Sequence, residues 1–68
     1  MKINIPEEGV INAPIDFMVV KDSVFIPTLN PEKLKQALRK AADELGFKFV
    51  YRTVVVDGYV GVNVWRVG

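Results

Sequence analysis

Residues 47–68 read FKFVYRTVVVDGYVGVNVWRVG, and Asp57-Gly58 in their middle decides how the rest is arranged. A two-residue type I′ reversal needs positive φ at both central positions, and Asp-Gly meets that need better than almost any other pair. Taken as such a turn, it sets Val56 opposite Tyr59, Val54 opposite Gly61, Arg52 opposite Asn63 and Val50 opposite Trp65. Side chains alternate across a strand, so the pairing also sorts the hairpin into two faces. One carries Phe47, Phe49, Tyr51, Thr53, Val55, Val60, Val62 and Val64, with Arg66 at its rim. The other carries Lys48, Val50, Arg52, Val54, Val56, Tyr59, Gly61, Asn63, Trp65 and Val67. Both are apolar, whereas a hairpin in a small domain ordinarily hides one face and wets the other.

Just upstream lies the element that should cover the first face. Asn30 is a favoured N-cap, Pro31 suits the first helical position, and Glu32 places a carboxylate in the first turn. Leu34, Ala37, Leu38, Ala41, Ala42 and Leu45 then fall at helical spacing, and Gly46 supplies a left-handed stop. The spacing predicts a helix over 31–45 with a narrow apolar stripe. Its other side holds Lys33, Lys35, Gln36, Arg39, Lys40, Asp43 and Glu44, with Arg39–Asp43 and Lys40–Glu44 expected as i,i+4 pairs.

The N-terminal part is less patterned. MKINIP alternates briefly and is expected as an edge strand ended by Pro6, with residues 1–14 otherwise irregular. IDFMVV and VFIP are expected as a hairpin around Lys21, Asp22 and Ser23. The whole is therefore read as a single α+β domain, residues 1–68. Its order would be ββαββ, an antiparallel sheet of about four strands with one helix packed on one face.

The 68 residues, half of them apolar, contain no Cys and no His. A chain this short buries only about 60% of its unfolded surface. Without a disulfide or a structural zinc, such domains rely on good packing or on self-association. Residues 1–30 carry Lys2 and Lys21 against Glu7, Glu8, Asp16 and Asp22. Residues 31–68 carry Lys33, Lys35, Arg39, Lys40, Lys48, Arg52 and Arg66 against Glu32, Asp43, Glu44 and Asp57. The asymmetry is weaker than the basic footprint of most nucleic-acid binders. No apolar run suits a membrane span and no signal-peptide layout opens the chain, so a soluble intracellular protein is expected.

Catalytic chemistry finds little to use. The commonest general base and the thiol nucleophile are missing, Ser23 lacks a nucleophile elbow, and the glycines follow no phosphate-binding pattern. Asp43 and Glu44 point apart on the helix. No enzyme activity, cofactor, metal site or small-molecule substrate is expected. The second hairpin face is the better candidate. Trp, Tyr and Arg set among valines is a composition enriched at binding hot spots, which nominates Trp65, Tyr59, Arg52, Val54 and Val56 for contact with a protein partner or a second copy. As an alternative, Lys48, Arg52, Asn63 and Trp65 would hold nucleic acid, the cations on phosphates and the indole on a base. Without any ligand, Trp65 would simply cover the open end of the sheet, packed on Val50 and Val67 under Arg52; a third possibility is a structural subunit of a larger particle.

The helix residues Leu38, Arg39, Lys40, Ala41, Ala42, Leu45 and Gly46, followed by a hairpin ending Val64-Trp65-Arg66-Val67, resemble the tail of small phage-encoded proteins that have no assigned activity. The resemblance covers about half the chain. It implies an accessory role in the host cytoplasm and draws attention to Arg39, Trp65 and Arg66.

Overall fold

The computed structural model describes all 68 residues. The chain runs β1 (Lys2–Ile5), β2 (Gly9–Asn12), a 3₁₀ turn (Pro14–Phe17), β3 (Ser23–Pro27), α1 (Pro31–Leu45), β4 (Phe49–Val56) and β5 (Tyr59–Arg66). The class is α+β, with one helix and two antiparallel sheets. β1 and β2 form a ribbon of their own, and the second sheet has the order β3-β5-β4. The strands number five and fall in two sheets, where a single four-stranded sheet was expected.

The two best sequence signals hold in detail. Asp57 and Gly58 have φ of 50° and 81°, and the register is the one the turn dictates, from Val56 opposite Tyr59 to Val50 opposite Trp65. Asn30 accepts the Lys33 N–H at its side-chain oxygen, Pro31 opens the helix, and Gly46 ends it at φ 71°. Leu34, Leu38, Ala41 and Ala42 are buried, and Ala37 and Leu45 pack partly against the core.

The N-terminal third departs from expectation. Residues 15–20 are not a strand. Pro14 starts a 3₁₀ turn that sends Ile15 and Met18, three positions apart, into the core and leaves Phe17 81% exposed. A turn does follow at residues 19–22, where Asp22 accepts the Val19 N–H and Lys21 stands at φ 81°. β3 then pairs with β5, Ser23 opposite Trp65 and Ile26 opposite Val62. The stretch read as an irregular connector contains β2, which places Ile11 opposite Ile3.

Ile3, Ile5, Ala13, Ile15 and Met18 join Leu34, Leu38, Ala41, Ile26, Val62 and Val64 in one core. The ribbon and the helix thus lie on the same side of the three-stranded sheet. Neither expected i,i+4 ion pair on the helix forms. Lys35 meets Glu32, Lys33 reaches back to Glu7 in the β1–β2 turn, and Arg39 lies over the Tyr51 ring. The Lys33 ammonium, by hydrogen bond and charge, holds the Glu7 carboxyl below the usual range. Burial pushes the Tyr51 phenol upward, against the pull of Arg39.

Candidate protein-contact face

Alternation along the paired strands carries Ser23, Phe25 and Pro27 of β3 to the same outer face as Tyr59, Gly61, Asn63 and Trp65 of β5 and Val50, Arg52, Val54 and Val56 of β4. Outside the three strands, Val20 and Lys21 reach this face at its Trp65 end. The shortest dimension of the molecule is 16 Å, room for the sheet and one covering layer stacked at about 10 Å. That layer is the helix and ribbon, on the opposite side. Consequently Tyr59 is 68% exposed, Val50 50% and Val56 43%, while Val54, Trp65 and Phe25 are half-buried.

The residues singled out from sequence do share this face, but not one spot on it. Trp65 and Tyr59 are six residues apart along β5, about 20 Å. At the first end Arg52 sits over the Trp65 ring, its guanidinium carbon 5.9 Å from the centroid, near the outer limit of a cation–π contact. A shallow groove of about 500 Å³ opens beside it, lined by Val20, Lys21, Val50, Trp65, Arg66 and Val67. Lys48 lies at the same end, its stem against Gly68. Asn63, half-buried, stands mid-sheet between Phe25 and Arg52. At the turn end Tyr59, which pairs with Val56, lines a second groove of about 300 Å³ reaching to Leu29, which is almost fully exposed.

Lys21, Lys48 and Arg52 make no ion pair; the three that form in the chain involve other residues. Arg66 behaves differently. Its Nη1 donates to the Met18 carbonyl at 2.7 Å, its Nε donates to the Gly68 carbonyl at 2.9 Å, and its guanidinium lies 3.5 Å from the centroid of Phe47. It ties the 3₁₀ segment to the end of β5 and is occupied in doing so.

Sequence reasoning missed Phe25. Its ring lies over Gly61, where an added Cβ would stand 2.6 Å from two ring carbons and 2.5 Å from the Ile26 carbonyl oxygen. The signal was present, since a glycine inside a strand often marks another group's close approach.

The inner face of β4 also differs from expectation. The eight inward positions of the hairpin were expected to lie under the helix. Phe49 and Tyr51 do pack on the core, but Thr53 is exposed and Val55 is 70% exposed. The cover stops short of the turn end of β4, although Val62, opposite Thr53 on β5, is fully buried.

Comparison with protein-family models, with curated proteins and with solved structures finds no match for this chain. No helix is long and apolar enough to cross a membrane.

Proposed function

We propose that this is a non-enzymatic interaction protein that self-associates and offers the outer face of its three-stranded sheet to a protein surface, through Trp65, Tyr59, Arg52, Val54 and Val56. One observation carries the reading: the N-terminal segment free to cover that face sends Ile3, Ile5, Ala13, Ile15 and Met18 into the core on the other side, and only Val20 and Lys21 reach the face, at its Trp65 end. A contiguous run of valines edged by Trp and Tyr is unusual on a protein that stays alone. Arg52 over Trp65 and the valines around them match the aromatic and arginine anchors of interface centres, with Lys21 and Lys48 as a polar rim. With the phage resemblance, this is an accessory protein acting in the host cytoplasm. Molecular mass by light scattering, taken over a wide range of concentration, tests the self-association. The expected result is a mass that climbs from one chain to two; a single-chain mass throughout would refute it.

A second reading rests on Lys21, Lys48 and Arg52, three of the cations without an ion pair, gathered at the Trp65 end. In it, they and Asn63 hold a single strand of nucleic acid with a base on the indole. Binding to a mixed-sequence DNA oligonucleotide would then fall steeply with salt, each lost phosphate contact changing the log–log slope by about 0.7. Binding that ignores salt would exclude it.

A further inference from the structure

The most apolar strand of the chain has no buried residue. β4 reads Phe49-Val50-Tyr51-Arg52-Thr53-Val54-Val55-Val56, and every side chain is exposed or only partly covered. It stands at the edge of its sheet, hydrogen-bonded to β5 alone. The bonding phase is fixed at its start, where the Lys48 N–H donates to the Gly68 carbonyl and the Lys48 carbonyl accepts from Val67. Alternation gives the even-numbered residues of β4 to β5. The N–H and C=O of Phe49, Tyr51, Thr53 and Val55 therefore face outward. None of these groups enters a turn, loop or side-chain hydrogen bond elsewhere in the chain.

The two edges of the sheet contrast. β3 spans five residues and ends in Pro27, which has no N–H to offer. Short length and proline are how natural sheets protect an edge. β4 is eight residues long, with no proline, no lysine and no glycine. It is the edge a further strand would join.

We infer that the strand that joins it is β4 of a second copy, in an antiparallel pairing centred on Thr53. This rests on the self-association proposed above and assigns its site and register. A two-fold axis between identical antiparallel strands runs perpendicular to the sheet. Like faces then align, and one residue meets its own copy on the axis. Placing Arg52 there would set two guanidinium groups directly opposite, which is unfavourable. Placing Tyr51 there would leave Val55 and Val56 beyond the paired segment. With Thr53 on the axis, Val50 meets Val56, Arg52 meets Val54, and Tyr51 lies across Val55, the exposed valine that α1 does not reach. The outward N–H and C=O groups of Tyr51, Thr53 and Val55 all find partners. Threonine opposite threonine and an aromatic opposite a β-branched residue are both favourable cross-strand pairs. The product is one six-stranded sheet with both helices on one side and two Trp65 faces left open on the other.

The chain has no cysteine, so a single introduced thiol reports the register directly. Thr53→Cys should form a disulfide-linked dimer under mild oxidation, because opposite residues in a sheet are about 5.5 Å apart at Cα, within disulfide range. Val10→Cys, on exposed β2, should not. Thr53→Asp, a change at an exposed site that should leave the single chain folded, would set two carboxylates face to face and weaken association roughly ten-fold or more. A protein that dimerises while Thr53→Cys fails to cross-link, or cross-links no faster than Val10→Cys, would overturn the pairing but leave self-association standing. Faster cross-linking of Arg52→Cys would overturn the register. A single-chain mass at every concentration would remove the proposal and the self-association together.

Discussion

Replacing Gly61 with alanine tests the structure of the outer face most directly. The new methyl would stand 2.5 Å from the Ile26 carbonyl oxygen and 2.6 Å from two carbons of the Phe25 ring. Favourable carbon contacts begin near 3.5 Å, so the ring must swing off the sheet or β3 must part from β5. Overpacking of this kind usually destabilises by about 1–3 kcal/mol. Against it stands the smaller freedom of alanine in the unfolded chain, which favours the variant by about 0.4–1 kcal/mol. The net expectation is a loss of about 1–2 kcal/mol. In a domain of this size each kcal/mol lowers Tm by about 4–8 °C, so a fall near 10 °C should be seen. Urea unfolding followed by circular dichroism measures the free energy, and a thermal scan gives the Tm. Phe25→Ala separates the two obstructions. In its background Gly61→Ala should cost less, because the ring is gone, yet still something, because the carbonyl remains. An alanine variant as stable as the parent, or one whose cost Phe25→Ala leaves unchanged, would refute the account of how β3 and β5 fit.

Arg66→Lys should destabilise nearly as much as Arg66→Ala, by roughly 1.5–3 kcal/mol, since one ammonium cannot reach the Met18 and Gly68 carbonyls and also cover Phe47; denaturant unfolding of both variants checks it. Asn30→Ala removes the acceptor of the Lys33 N–H and should cost about 1 kcal/mol, while Asn30→Asp should cost little. Burial favours the neutral Tyr51 phenol in the folded chain. That contribution is complete below the ordinary phenol pKa and is lost as pH rises from there through the raised value, so Tyr51→Phe should flatten the alkaline fall in stability above roughly pH 10.

What could be read from the sequence was whatever local chemistry over-determines. Helix α1 had a cap, a proline, a stripe and a stop that agreed, and the β4–β5 hairpin had a turn whose geometry admits one register. The error at residues 15–20 came from counting by twos. Ile15 and Met18 are three apart, the spacing of a 3₁₀ turn, and the apolar run Phe17-Met18-Val19-Val20 concealed it. β2 went unread because Val10 is 62% exposed and only Ile11 answers Ile3 across the ribbon. The candidate face was legible as a set of residues, since alternation fixes who shares a side. Its emptiness was not, because that depends on where the N-terminal third packs. Periodicity also names a face without saying how far its cover extends. Thr53 and Val55 lie on the edge strand β4, outside the cover, although Val62 opposite Thr53 on β5 is fully buried.

The chain has one tryptophan, and it stands half-exposed on the bare side of the sheet with a guanidinium above it. Indole emission moves to shorter wavelength when water leaves the ring, and it changes in intensity when a neighbouring cation shifts. Whatever settles over Arg52 must alter both. The protein therefore carries an optical reporter at the site in question, and unlabelled material can be titrated with any candidate partner and read by its own fluorescence.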